Sequence, residues 1–180
     1  MRQAATGTDT HIMPSPELCL PEPTGHHPVG TTWLWLNDKS RSDPWVAAAA
    51  TRELMVSLWY PAQPSSAPHA QYMTSRESEL MLTDAGITDV PLDLLSTTRT
   101  HATRDADPVA GQHDAPLVIL SPGYGKPRMT LTALAEDLAS HGYVVAAVDH
   151  TYESVATTFP DGRVAADVRP REESALVRVE

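Results

Sequence analysis

Cysteine is almost absent from this sequence. Cys19 is the only cysteine among 180 residues, so neither a disulfide within the chain nor a cysteine-rich zinc site can form. Cys19 lies in the proline-rich stretch PSPELCLPEP, far from any predicted strand end, which favours an inert thiol over a nucleophile. His26 and His27 lack cysteine or carboxylate neighbours at metal-ligand spacing, so no metal site is expected there.

Positive charge is also scarce. Thirteen lysine and arginine residues stand against 23 aspartate and glutamate residues, and the formal net charge is −10. The basic residues are scattered along the chain, whereas binding to phosphates needs clustered cations. A nucleic-acid partner is therefore not expected.

Long apolar runs are missing as well. No stretch approaches the roughly twenty apolar residues of a membrane-spanning helix, so no transmembrane segment is predicted. The first residues contain no apolar core of a signal peptide, which makes the cytoplasm the default expectation and leaves secretion open. Residues 1–24 show no periodicity and are predicted to be a flexible arm, and a chain of this length can hold one domain with a sizeable core.

The first half of the sequence contains two strand-like segments. Thr31–Asp38 alternates tryptophan with leucine, and Arg52–Tyr60 is a second segment rich in apolar residues. We expect the two segments to pair as an antiparallel hairpin with a long connection. Within it, Trp33, Trp35 and Trp59 are expected to pack in the hairpin rather than to form a lipid-docking surface.

A short helix is predicted from Ser75 to Asp84. Ser75 or Thr74 can cap its first turn, because the hydroxyl of either residue can accept a hydrogen bond from a free backbone N–H. Leu80 and Met81 are expected to face inward.

The second half contains two continuous apolar runs, Leu117–Leu120 and Val144–Val148. Such runs are typical of parallel strands that helices cover on both faces. Between them, residues 129–141 form an amphipathic pattern that ends at Gly142. Its predicted inward face consists of Leu131, Leu134, Ala135, Leu138 and Ala139, with Glu136 and Asp137 opposite. Strand, helix and strand of these lengths form a βαβ unit, so the predicted fold class is α/β.

A glycine-containing turn, Ser121-Pro122-Gly123-Tyr124-Gly125, follows the first of these strands. Open α/β sheets bind ligands at this carboxyl edge, and Gly123 and Gly125 let the backbone approach a bound carbonyl without a Cβ in the way. An acyl-transfer site needs N–H groups aimed at the oxygen that gains charge, and the backbone N–H of Tyr124 is the candidate donor.

Spacing alone equally allows this turn to be a plain connection between a strand and a helix, as in flavodoxin-like or Rossmann-like domains. A phosphate-binding loop is disfavoured, because the sequence around Lys126 matches neither glycine pattern for phosphate binding and Pro127 has no N–H to donate.

Four polar residues near this turn are not expected to be catalytic. Asp149 and His150 are adjacent at the end of a strand, where neighbours point to opposite faces, so we expect them to anchor loops. Ser140 falls in the last turn of a helix, and Ser121 lacks the strained elbow of a hydrolase nucleophile.

Two separate parts of the sequence resemble a known family. Ser121–Arg128, together with LASHGYVVAAVDH at residues 138–150, resembles the plasma and intracellular type II platelet-activating-factor acetylhydrolases. LPEPTG at residues 20–25 and ELMVSLWYP at residues 53–61 resemble the opening hairpin of the same family. The family usually has histidine where this chain has Pro122.

The resemblance implies an α/β-hydrolase that cleaves short acyl chains from phospholipids such as 1-alkyl-2-acetylglycerophosphocholine, or a similar small ester, without a metal or organic cofactor. It also implies a nucleophile elbow, an acid and a histidine after a second helix, which is predicted to begin within residues 172–179. No G-x-S-x-G motif occurs in the sequence. Residues 25–180 are therefore expected to be the N-terminal part of an α/β-hydrolase domain, inactive on their own.

Two alternatives stay open. The first is another esterase on the same fold, of the cutinase or dienelactone-hydrolase type. The second is a non-catalytic remnant or binding module.

Overall fold

A computed structural model describes residues 18–111 and 114–168 of the chain. Its main sheet has five strands in the order β3-β1-β2-β5-β4. The strands are β1 (Val29–Asp38), β2 (Arg52–Pro61), β3 (Thr103–Arg104), β4 (Leu117–Leu120) and β5 (Val144–Asp149). A second, two-stranded sheet pairs β6 (Ala156–Thr158) with β7 (Val164–Ala166). The predicted helix within residues 172–179 lies outside the described residues.

The predicted hairpin is confirmed. Strands β1 and β2 pair antiparallel along their whole length, from Val29 opposite Pro61 to Asp38 opposite Arg52. The tryptophans divide in a way that the sequence did not predict: Trp59 is buried, whereas Trp33 and Trp35 are 41% and 42% exposed. Trp59 is therefore packed in the core, whereas Trp33 and Trp35 are only partly covered, and the Nε1 atom of Trp35 donates to Glu53 of β2 at 3.1 Å.

The predicted βαβ unit is also confirmed. Strands β4 and β5 pair in parallel, and helix α2 (Thr132–Ser140) connects them after a 3₁₀ turn at Arg128–Leu131. Gly142 follows the helix with a φ of +100°, a left-handed conformation that glycine adopts without strain. The α/β class that the sequence predicts is the class of the structure.

One face of this unit forms the main core. Val145 and Ala147 of β5 are fully buried against Ala135 and Ala139 of α2, and Trp59 of β2 joins them. This packing sets the sheet and the helix in fixed positions, so the end of β4 and the start of α2 are held close to the carboxyl end of β5.

The prediction that strand β4 is buried on both faces is wrong for the described residues. Val118 and Leu120 pack towards the main core, but Leu117 and Ile119 are 60% and 68% exposed. Strand β4 is the outermost strand of the sheet in the described part of the chain. No described element covers Leu117 and Ile119 on the face opposite α2, which is why they remain exposed.

The predicted inward face of α2 is only partly correct. Ala135 and Ala139 are fully buried as expected, but Leu134 is 48% exposed and Glu136, which was expected to face outward, is fully buried. The Glu136 carboxylate accepts hydrogen bonds from the backbone N–H groups of His101 and Ala102, at 3.0 and 2.8 Å. These contacts compensate part of the cost of burying the carboxylate, because buried backbone donors need partners.

Helix α1 (Ser75–Asp84) has the bounds that the sequence predicts. Thr74 caps it in a capping box: the Thr74 hydroxyl accepts from the N–H of Glu77, whose carboxylate accepts in turn from the N–H of Thr74. The inward face consists of Glu77, Ser78 and Leu82, whereas Leu80 and Met81, which were expected there, are only half-buried.

Residues 18–24, at the end of the predicted flexible arm, are attached to the fold by hydrogen bonds. The N–H of Leu20 donates to the carbonyl of Arg99 at 2.9 Å, and the N–H and hydroxyl of Thr24 both donate to Asp137 at 2.8 Å. Residues 1–17 lie outside the described residues.

Candidate active site

We call the segment from Ser121 to Arg128 the turn. It lies at the carboxyl edge of the parallel strands, and its first helical residue is Arg128. The N–H of Lys126 donates to the carbonyl of Gly123 at 2.9 Å, and Gly125 has a φ of +77°. A hydrogen bond of this span with a positive φ at the third residue is the pattern of a type II β-turn. Tyr124 occupies its second position, and the Tyr124 side chain is 71% exposed.

The two glycines of the turn have different roles. Gly125 has the left-handed backbone conformation that a side chain would strain. Gly123 has no positive φ, and a Cβ built at this position would meet no heavy atom within 4 Å. The space where a Gly123 side chain would stand is therefore open.

The first anchor of the turn is a contact between Ser121 and His150. The Ser121 hydroxyl and the His150 Nε2 atom are 2.8 Å apart, and they join the ends of β4 and β5. The sequence did not predict this pairing, although both residues were recognised as strand ends. It has the spacing of a serine and its general base, but Ser121 follows an extended strand rather than a strained elbow.

The second anchor is a buried ion pair between Arg128 and Asp149. Asp149 is fully buried, and its carboxylate accepts a hydrogen bond from the backbone N–H of Arg128 at 2.6 Å and pairs with the Arg128 guanidinium. The Nε atom of Arg128 donates to the Ser57 hydroxyl of β2 at 2.8 Å. Burial raises the pKa of the Asp149 carboxyl, while the Arg128 charge and the Arg128 N–H oppose that rise.

The third anchor is a backbone hydrogen bond. The N–H of Val155 donates to the carbonyl of Gly125 at 3.0 Å. Two backbone bonds fold the segment between β5 and Val155 back on itself, because the N–H groups of Glu153 and Ser154 both donate to the His150 carbonyl. Asp149 and His150 therefore anchor a loop, as expected, and residues 149–155 hold the turn at its start, its middle and its end.

A cavity of about 280 Å³ lies near these anchors, on the α2 side of the sheet. Arg128 lines it, so the residue that ends the turn also forms part of the cavity wall. The sequence did not predict this cavity, because its walls come from elements far apart in the chain. Its apolar wall consists of the aromatic residues Trp33, Trp59, Tyr72 and Phe159 and the methionines Met55, Met73 and Met129.

Two further properties concern the described ranges 18–111 and 114–168 only. Within them, His, Cys, Asp and Glu side chains form no group of three that could hold a metal ion. No helix there combines the length and the apolar character needed to cross a bilayer. Ser140, the other serine considered in the sequence, is buried, donates to the Asp137 carbonyl at 2.6 Å and accepts from the N–H of Gly25 at 2.9 Å.

Comparisons with known proteins point to esterases. The model of the family described as platelet-activating factor acetylhydrolase, isoform II, matches residues 12–178. The chain is 29% identical over 144 residues to the platelet-activating factor acetylhydrolase of Cavia porcellus, a match that covers 78% of this chain and 30% of that protein. It is 26% identical over 157 residues to a probable 1-alkyl-2-acetylglycerophosphocholine esterase of Arthroderma benhamiae, covering 81% of this chain and 40% of that protein.

A solved structure is also similar. The ferulic acid esterase from Streptomyces cinnamoneus superposes with a TM-score of 0.77 and 45% sequence identity, covering 87% of this chain and 44% of that one. The chain thus spans 30 to 40% of the length of the two curated relatives and less than half of the structural neighbour.

Proposed function

Because this chain belongs to the platelet-activating factor acetylhydrolase isoform II family, we propose that it forms the oxyanion-hole side of a serine ester hydrolase. The observation that carries the proposal is the type II turn at the carboxyl edge of β4. There, Tyr124 is the second residue of the turn, a Cβ at Gly123 would meet no heavy atom within 4 Å, and Gly125 has the positive φ that the turn requires. The esterases among the similar proteins support the reaction class.

The proposed reaction is acyl transfer through a tetrahedral intermediate. The nucleophile oxygen forms a bond to the ester carbonyl carbon while a base takes its proton, and the carbonyl electron pair moves to the oxygen. The Tyr124 N–H donates to that oxyanion, an interaction that contributes about 3 kcal/mol when such a donor is in place. The intermediate then expels the alcohol, which takes the proton from the base, and water releases the acyl group in the same way.

The nucleophile, the acid and the base are proposed to lie outside these 180 residues. The sequence contains no G-x-S-x-G motif, and the similar esterases are more than twice as long as the part that the chain matches. Loss of the nucleophile costs a serine hydrolase about 10⁶ in kcat and leaves only the residual contribution of the oxyanion hole and the binding site. The chain alone is therefore proposed to be inactive.

The proposed substrate is a short-acyl phospholipid ester, in keeping with the names of the two curated relatives. A second candidate is an ester of an aromatic acid. The neighbour that is 45% identical is named as a ferulic acid esterase, and the aromatic and methionine walls of the cavity suit a flat ring. Initial rates of a nucleophile-bearing form of the protein on acetyl and feruloyl esters separate the two candidates.

The proposal that the nucleophile lies outside this chain is tested by the hydrolysis of p-nitrophenyl acetate by the purified 180-residue chain and by its Ser121→Ala variant. We expect both to give only background hydrolysis. Saturable turnover by the unmodified chain would contradict a nucleophile outside it. If the Ser121→Ala change also abolished that turnover, Ser121 with His150 would be the catalytic pair.

A further inference from the structure

We propose that Asp149, acting through Arg128, is the positioning residue that fixes the backbone N–H of Tyr124 in the oxyanion hole. This inference deepens the proposed function, on which it rests. Asp149 lies at the end of β5, and the Asp149 carboxylate contacts both the backbone N–H and the guanidinium of Arg128. Arg128 is the fourth residue after Tyr124, so Asp149 fixes the point at which the turn ends.

Stability alone does not account for this ion pair. Asp149 is fully buried and Arg128 is 7% exposed, so both charges are withdrawn from water. The desolvation of such a pair offsets most of its Coulomb attraction, and apolar replacements of similar volume are often neutral or stabilising. The pair therefore needs a second explanation, and the best-supported use of buried ion pairs is to fix a register or an orientation.

The geometry supplies that explanation. Pro127, which precedes Arg128, is fully buried, and its ring fixes its φ near −77°. The position of Arg128 therefore sets the direction of the backbone that joins it to the rest of the turn. The Nε atom of Arg128 also donates to Ser57 on β2, so the end of the turn is joined to two strands of the sheet. The short backbone path from Arg128 to Tyr124 thus begins at a rigid point.

The other two contacts of the turn are less suited to this role than the contact with Asp149. The contact between Ser121 and His150 is on the surface side, where Ser121 is exposed, and the Val155 bond to Gly125 comes from a loop. Of these three contacts, only the Arg128 anchor is both buried and attached to the sheet core. Its loss should therefore release the turn while the strands stay in place.

The test is backbone ¹⁵N relaxation on the 180-residue chain, which reports the mobility of residues 123–126 whether or not any ester is hydrolysed. The main variant, Asp149→Val with Arg128→Met, replaces the pair by apolar side chains and leaves no unpaired charge. We expect order parameters in the turn to fall from about 0.85 to below about 0.6, while those of β5 stay unchanged. The matched control, Ser154→Ala, removes a buried hydroxyl of the same loop that bonds to Ala156 and not to the turn.

Unchanged order parameters in the turn would overturn the proposal, and so would an equal fall in the turn and in β5. If the double variant does not fold, Asp149→Asn serves instead: it keeps one acceptor oxygen for the Arg128 N–H and loses the charge, and a fall confined to the turn is again expected. If the variant has a mobile turn but no nucleophile-bearing form of the protein hydrolyses an ester, the result contradicts the proposed function and leaves the positioning role intact. If the turn is mobile in the variant but the kcat of its nucleophile-bearing form is undiminished, the result contradicts the positioning role and leaves the proposed function intact.

Discussion

Replacing Tyr124 with proline removes one backbone N–H from the turn without breaking the turn. Tyr124 is the second residue of a type II turn, a position at which proline is common because its fixed φ suits the turn. Gly123, which would precede the proline, has no Cβ, so the part of the proline clash that involves a preceding Cβ does not arise. The change therefore isolates the hydrogen-bond donor from the shape of the loop.

The magnitude follows from the role assigned to that donor. The Tyr124 side chain is 71% exposed, so its removal gives up little buried surface. Loss of one oxyanion-hole donor lowers kcat by about 10²–10³, which corresponds to about 3 kcal/mol in the activation barrier. We expect Tyr124→Pro to lower kcat by that factor with little change in KM.

The assay is steady-state hydrolysis of p-nitrophenyl acetate by a form of the protein that includes the proposed nucleophile segment. Tyr124→Ala is the matched control, because it removes the side chain and keeps the N–H, and its kcat should stay close to that of the unmodified protein. A folded Tyr124→Pro variant with unchanged kcat would refute the reasoning. An equal loss in both variants would also refute it, since the side chain rather than the amide would then be responsible.

Three further outcomes are expected. A side chain at φ +77° costs roughly 1–2 kcal/mol, so Gly125→Ala should lower Tm by about 2–4 °C for each kcal/mol. Gly123→Ala should lower Tm less, because the space at Gly123 is open. Equal Tm shifts of the two variants in thermal melts would contradict the turn geometry. Burial raises the pKa of Glu136 above its usual 4.5, so the folded state binds a proton that the unfolded state has lost and stability falls as pH rises through that raised pKa. Denaturant titrations from pH 4 to 7 should therefore show the unmodified chain losing stability relative to Glu136→Gln, and parallel pH profiles would argue against this. Finally, Ile119→Lys on the exposed face of β4 should raise the soluble yield and the monomer fraction in gel filtration. An unmodified chain that is already monomeric and unfolds in one sharp thermal transition would contradict this prediction.

The elements that the sequence predicted well are those defined by local patterns. The hairpin of β1 and β2 follows from apolar segments of strand length, and α1 begins directly after Thr74 because the capping residues Thr74 and Glu77 are three apart in the sequence. The βαβ unit follows from two short apolar runs around an amphipathic helix. Each of these signals lies within single segments of strand or helix length, so the type of each segment follows without knowledge of distant contacts.

Glu136 shows why the helix face could not be predicted fully. Helical periodicity marked Glu136 as solvent-facing because it is charged, but the segment that contains His101 and Ala102 brings two backbone donors to its carboxylate. That contact joins residues more than 30 positions apart. A pattern of apolar and polar residues carries no record of such a partner, and tertiary contacts therefore decided the orientation.

The position of the turn could be predicted, but its anchors could not. The glycines and the end of an apolar run mark the turn in the sequence. The ion pair of Arg128 with Asp149 depends instead on the pairing of β4 with β5, and the bond from Arg128 to Ser57 depends on the register between β2 and β5. That register places Met55 opposite Asp149 and Ser57 opposite Ala147, which brings the Ser57 hydroxyl within reach of Arg128. Strand register across 90 residues of sequence is set by the packed core, which the sequence pattern shows only indirectly.

The three anchors have a common consequence for how the proposed site is assembled. Each one joins the turn to residues of this chain: His150 at its start, Val155 in its middle and Asp149 at its end. The shape of the turn therefore does not depend on a nucleophile or on a bound ester. A donor that is held in place before the substrate arrives costs no reorganisation when charge develops on the carbonyl oxygen, and such preorganisation makes an oxyanion hole effective. On this argument, the oxyanion side of the site is a rigid template to which a nucleophile is added.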